Sequence, residues 1–133
     1  EIYTLSLHDA LPISSLIVED DKNWADILCS YAAMVGADTR AVVSGGQAME
    51  MIDNWQPDAI VLDMLLAGET AVALLNELRS HADLARLPIM VCSNTDVSLA
   101  DLRPFGVRAL LDKASMRPDE ARAVFSEVLD GAE

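Results

Sequence analysis

The stretch SLIVEDDKNW, residues 15–24, joins three apolar residues, Leu16-Ile17-Val18, directly to three acids, Glu19-Asp20-Asp21. Adjacent carboxylates repel, so such a cluster costs free energy unless positive charge sits close by. Either this is a solvated loop, or it is a cation site at the end of a buried strand. What the rest of the chain brings to the same place decides between them.

Working outward from this stretch, short apolar runs alternate with helical patterns. Residues 23–35 carry Trp24, Ile27, Leu28, Tyr31, Ala32 and Val35 at helical spacing and close on Gly36. Residues 39–43 read as a second strand, broken by Ser44-Gly45-Gly46. A helix over 47–55 follows, with Pro57 as its stop. Ala59-Ile60-Val61-Leu62 is a third apolar run and ends in Asp63. A helix is predicted over 69–79, a fourth strand over 88–92 ending in Ser93-Asn94, and a short helix over 97–102 ended by Pro104 and Gly106. The fifth strand, 109–111, ends in Asp112-Lys113, and a last helix covers 118–129 with Pro118 suited to its first turn.

Continuously apolar strands alternating with helices predict an α/β fold, a doubly wound parallel sheet of five strands with helices on both faces. Ligands of such sheets bind beyond the carboxyl ends of the strands. The residues there are Glu19-Asp20-Asp21, Asp63, Ser93-Asn94 and Lys113, with only Ser44 from the second strand. Polar groups converge from four strands, which favours a site over a solvated loop.

The bulk composition narrows the function. A chain of 133 residues builds one domain with a proper core. A hydrophobic share of 52% predicts a globular fold. The net charge of −13 argues against nonspecific binding to nucleic acid or to anionic membranes, both of which need a basic patch. No apolar run reaches the length of a membrane span. Cys29 and Cys92 fit no zinc spacing and read as reduced core residues of a cytoplasmic protein. The first fourteen residues, EIYTLSLHDALPIS, show no clear period and lack the basic start of a signal peptide. They resemble translated sequencing-adaptor DNA. They are read as an N-terminal extension over 1–14, extraneous or disordered, ahead of one domain over 15–130.

Glu19, Asp20 and Asp63 read as three carboxylates without a basic neighbour. Such a set suits a hard divalent cation, and magnesium takes one or two carboxylates, a carbonyl and waters. A carboxylate beside that metal can attack phosphorus and form an aspartyl phosphate. The metal and the Lys113 ammonium would neutralise the phosphoryl oxygens, and the Ser93 hydroxyl could donate to them.

The order VEDD, IVLDM, PIMVCS and LLDK resembles the receiver domain of two-component response regulators, over residues 15–129. The resemblance implies the flavodoxin-like strand order 2-1-3-4-5. It makes Asp63 the phosphoacceptor. Glu19 and Asp20 become the acidic pair, Asp20 binding Mg2+ directly and Glu19 through water, and Leu65 offers the metal its backbone carbonyl. Ser93 takes the hydroxyl position and Lys113 the lysine position. A sensor histidine kinase or a phosphotransfer protein donates the phosphoryl group, and small acyl phosphates sometimes can. The domain promotes only its own phosphorylation and dephosphorylation. The phosphorylated form shifts a two-state equilibrium toward an output partner that the sequence does not name, or toward a homodimer.

Several positions depart from the family pattern. Leu110 stands where the family has Tyr or Phe three residues before the lysine, so the switch of Ser93 and Leu110 is altered or weakened. Ala114 replaces the proline after the lysine. The loop after Asp63 keeps only Gly68, and Asn94 stands where a small residue is usual. The short segment from Ser93 to Lys113, with Pro104 in it, predicts a short or displaced fourth helix, the family's usual output surface. These departures carry the alternative reading, a degenerate receiver that binds or dimerises without phosphorylation. A hydrolase passing through an aspartyl phosphate would want a second Asp where Leu65 stands. A flavin module would want a phosphate-cradling loop where the acids stand. Trp24 and Trp55 read as helix-face packing, His81 as a surface residue, and Asp21 as a helix-start acid.

Overall fold

In the computed structural model, residues 13–66, 69–94 and 97–130 are described. The extension expected over 1–14 lies outside them except for Ile13 and Ser14, as does the Gly68 of the loop after Asp63. The apolar runs become strands: β1 (Ser14–Val18), β2 (Asp38–Val42), β3 (Ala59–Asp63), β4 (Ile89–Ser93) and β5 (Val107–Asp112). They form one parallel sheet in the order β2-β1-β3-β4-β5. The central strands β3 and β4 are buried along their whole length. The polar strand β2, with Asp38, Thr39 and Arg40, takes one edge, where a face and a ladder of backbone groups meet water.

The pleat sends alternate side chains to opposite faces. Leu16, Val18, Ile60, Leu62 and Val91 pack against α2 (Gly45–Trp55) and α3 (Ala71–Ser80) through Ile52, Leu75 and Leu78. Ile17, Val61, Met90 and Cys92 pack against α1 (Lys22–Met34) and α5 (Pro118–Asp130) through Leu28, Ala32 and Phe125. Glu19 and Asp63 follow Ile17 and Val61 by two residues and continue the same side of the pleat. Both thiols face this layer. Burial pushes Cys92 up to about 12. Cys29 is half-buried and is also raised, by burial and by the Asp26 carboxylate. Only thiolate reacts with disulfide reagents. Dithionitrobenzoate should therefore label one thiol slowly in the native protein and the second only after denaturation.

Capping chemistry explains where the helices start. The Asp21 carboxylate accepts from the amides of Asn23 (2.8 Å) and Trp24 (3.1 Å), so the third acid of the opening stretch is the N-cap of α1. Ser44 does the same for α2, its Oγ accepting from the Gln47 amide at 3.2 Å. That corrects two expectations. The helix starts at Gly45, not at residue 47, and Ser44 serves as a cap. Helix α3 begins at Ala71, two residues later than expected, because Glu69–Thr70 pairs with Leu65–Leu66 in a two-residue antiparallel ladder. The helix after β4 is short, as the sequence predicts. Helix α4 (Leu99–Leu102) has four residues and runs into a 3-10 turn, Arg103–Phe105, that contains Pro104. Gly106, at φ 87°, ends that turn in a conformation that costs residues with a Cβ. Among the described residues no helix is long and apolar enough to cross a membrane.

Candidate functional site

The carboxyl ends of β1, β3, β4 and β5 meet at one place. One carboxylate oxygen each from Glu19, Asp20 and Asp63 lies within 4.8 Å of the others. Glu19 is 1% exposed and Asp63 7%, whereas Asp20 is open to solvent. Lys113, just past β5, closes the group. Its Nζ donates to Glu19 Oε1 and lies 3.5 Å from Asp63 Oδ2. The sequence already brings Lys113 to these strand ends; what the fold adds is that its buried ammonium, 94 residues along the chain from Glu19, pairs directly with the carboxylates.

The remaining contacts hold these groups in place. Glu19 Oε2 accepts from the Asp21 amide at 3.2 Å, and the Glu19 amide donates to the Val42 carbonyl at 3.0 Å. The first fixes the carboxylate and the second fixes the loop after β1 to the end of β2. The Lys113 amide donates to the Ser93 carbonyl at 2.9 Å, which ties the lysine to the end of β4. Ser93 is buried. Leu110 is half-buried and packs with the α2 and α3 layer, alongside Phe105 and Leu99. Leu65 lies in the two-residue ladder immediately after the site. The Asp112 carboxylate accepts from the Ala114 amide at 2.9 Å, and among the described residues no peptide bond is cis.

Burial dominates the electrostatics of Glu19. It pushes the carboxyl from its ordinary 4.5 up to about 7, against the Lys113 ammonium and the Asp21 amide, which pull it down; Asp63 adds a further push upward. The folded protein therefore holds this proton more tightly than the unfolded chain does. The associated stability is complete below 4.5 and is lost as pH rises through about 7. Without divalent cations, wild type should lose stability relative to Glu19→Gln between those two values. Urea denaturation of both proteins across that window checks this.

One residue of the site was missed by sequence reasoning. The Trp24 ring lies 5.0 Å from Lys113 Nζ, on the first turn of α1 above the strand ends. Its signal was its place, three residues past the Asp21 cap, where a helix entering from a strand overhangs that strand's end. Trp55 has a similar contact elsewhere, with Arg40 at 4.6 Å on the β2 side. His81 pairs with Glu77 at 3.5 Å along α3 and takes no part in the site.

Chemically, the site offers oxygen donors, one buried ammonium and a buried hydroxyl residue. Among the described residues the group that could hold a metal ion is made of carboxylates alone, and burial keeps the Cys92 thiol protonated. Oxygen-only clusters of this kind suit hard divalent cations.

Comparison with known proteins agrees with this geometry. The family model of the response regulator receiver domain matches residues 15–123. The regulator of RpoS from Escherichia coli strain K12 is 30% identical over 87 residues, covering 65% of this chain and 25% of that protein. The transcriptional regulatory protein GltR of Pseudomonas aeruginosa strain PAO1 is 29% identical over 132 residues, covering 89% of this chain and 53% of its own length. The chain thus spans between a quarter and about half of these curated relatives. Among solved structures, a sensor protein from Polaromonas sp. JS666 superposes with a TM-score of 0.79 at 25% identity, covering 91% of this chain and 98% of that one. The receiver domain of the sensor histidine kinase PA1611 from Pseudomonas aeruginosa PAO1, with a magnesium ion coordinated in its active-site cleft, shares the fold. Its TM-score is 0.76 at 19% identity, over 90% of this chain and 99% of that one. With the family model covering most of its length and the five-stranded parallel sheet shared with these structures, the chain belongs to the response regulator receiver domain family.

Proposed function

We propose that this chain accepts a phosphoryl group on Asp63 from a histidine kinase or a phosphotransfer protein, in a Mg2+-dependent reaction, and that the phosphorylated form changes what the domain binds. The observation that carries this reading is the convergence of Glu19, Asp20 and Asp63 oxygens within 4.8 Å, with the Lys113 ammonium 3.5 Å from Asp63.

The chemistry follows from these groups. An Asp63 carboxylate oxygen forms a bond to phosphorus as the P–N bond of a phosphohistidine breaks. The imidazole nitrogen leaves with the bonding pair and takes up a proton. Lys113 offers positive charge where the phosphoryl oxygens gain it, and the Ser93 hydroxyl is the donor at the end of β4. The residues fit magnesium, since their donors are oxygens and the cluster holds more negative charge than Lys113 offsets. Asp20 and Asp63 would hold it directly, Leu65 through its carbonyl and Glu19 through water. The ion, when bound, neutralises charge on the transferring group.

The four-residue α4 and Leu110 favour an output route that differs from the family pattern. The alternative, a binding module that is never phosphorylated, has those same two features in its favour and the buried acid and lysine set against it. Incubation with acetyl phosphate and magnesium chloride tests the choice. A phosphoryl adduct in the intact mass, removed by hydroxylamine as an acyl phosphate is, supports the phosphoacceptor. An unmodified protein with no measurable magnesium binding favours the binding module.

A further inference from the structure

Lys113 is held from two sides. Glu19 Oε1 takes its ammonium on one side, and the indole of Trp24 faces it at 5.0 Å on another. The two contacts belong to one local device. Glu19 Oε2 accepts from the Asp21 amide, and the Asp21 carboxylate in turn accepts from the Trp24 amide, at 3.1 Å. The acidic stretch that begins the site therefore also sets where the first turn of α1 starts, and so where its tryptophan stands. The lysine side chain is 3% exposed, so its charge has lost most of its water. Under those conditions an aromatic face attracts an ammonium more strongly than it does at an open surface. A flexible four-carbon stem would otherwise leave the ammonium several ways to lie in the cleft.

We propose that Trp24 is the positioning residue for Lys113: its indole face confines the ammonium between Glu19 and Asp63, and this confinement speeds phosphoryl transfer to Asp63. The inference rests on the phosphoacceptor reading above for its effect on rate, but the contact itself stands apart from that reading. Trp24 does not touch the transferring group. It acts through the lysine, and what it supplies is a π face, so phenylalanine should replace it in part and an aliphatic side chain should not. Trp24 is half-buried at the rim of the cleft, so neither change empties the core.

The experiment has two arms, both on the full chain. In the first, urea denaturation of wild type, Trp24→Leu, Lys113→Met and the double variant gives the coupling between the two side chains. A coupling of about fivefold in the folding equilibrium constant is expected for an ammonium out of bulk water against an indole. Additive effects would overturn the contact and the proposal with it. In the second arm, phosphorylation by acetyl phosphate and magnesium chloride is followed by intact mass. Trp24→Leu should be slower by on the order of fivefold, with Trp24→Phe recovering about half of the loss on a logarithmic scale. In the Lys113→Met background, Trp24→Leu should slow nothing further. Equal rates for wild type and Trp24→Leu, no recovery in Trp24→Phe, or an undiminished loss in the Lys113→Met background would each overturn the proposal. A wild type that takes no phosphoryl group and binds no measurable magnesium, with the coupling present, would overturn the phosphoacceptor reading and the effect on rate, and leave the contact established.

Discussion

Asp63→Asn is expected to abolish the phosphoryl adduct while leaving the fold in place. The amide is nearly isosteric with the carboxylate but is a far weaker nucleophile, and it brings no charge to a cation. The loss should therefore be complete on the timescale of wild-type labelling, not a matter of a few fold. Stability should change little, by about 1 kcal/mol or less, for two opposed reasons. Lys113 keeps its closer partner Glu19 and loses only the 3.5 Å contact with Asp63. At the same time one of three mutually repelling carboxylates is gone. Mass spectrometry after acetyl phosphate treatment, with circular dichroism and urea denaturation of the same samples, reads all of these. An adduct that persists in Asp63→Asn would move the nucleophile elsewhere.

Lys113→Met carries the largest expected effect on stability. The lysine side chain is 3% exposed and that of Glu19 is fully buried, so removing the ammonium leaves a buried carboxylate beside Asp63 with no counter-charge. Breaking a buried pair from one side typically costs about 3–5 kcal/mol. Here the loss should depend on pH. Glu19 already holds its proton up to about 7 with Lys113 present, and losing the ammonium pushes the carboxyl in the same upward direction. A protonated Glu19 needs no counter-charge, so the variant should lie closest to wild type near pH 5 and furthest from it near pH 8. Magnesium should restore part of the loss, because it replaces the missing charge. Phosphorylation of this variant should survive better than any conformational change that follows it, since the Lys113 backbone amide ties the residue to the end of β4 through the Ser93 carbonyl and it is the ammonium that joins this strand end to Asp63. Urea denaturation at the two pH values, with and without magnesium, measures the first effect. Partner binding or the oligomeric state of the phosphorylated protein measures the second.

The apolar runs before Glu19, Asp63 and Ser93 made the parallel sheet legible, because a strand buried on both faces cannot alternate polar and apolar residues. The same runs marked the site, since polar residues that end several buried strands must meet at one edge of the sheet. Local capping was harder to read. Gly45-Gly46 looks like a break, yet Ser44 turns it into the first turn of α2. Glu69 and Thr70 continue the helical period of α3 but are taken by pairing with Leu65 and Leu66, a contact that no helical period records. The short α4 was legible because Pro104 and Gly106 bound the room for it. What the chain did not disclose was long-range pairing of side chains. That Lys113 would sit on Glu19, and that Trp24 would face the same ammonium, depends on how α1 and β5 end in space. Periodicity places a residue on a face, and it does not say which tip meets which across the sheet's edge.

Phosphoryl acceptance by Asp63 is tested most directly by locating the acyl phosphate. Borohydride reduces an aspartyl phosphate to homoserine, so treatment of the acetyl phosphate-labelled protein followed by peptide mass mapping reads the modified position. Homoserine is expected at residue 63 alone, dependent on magnesium. Homoserine formed from Asp20 or another aspartate, or none formed although the intact mass carries a phosphoryl group, would place the acceptor elsewhere.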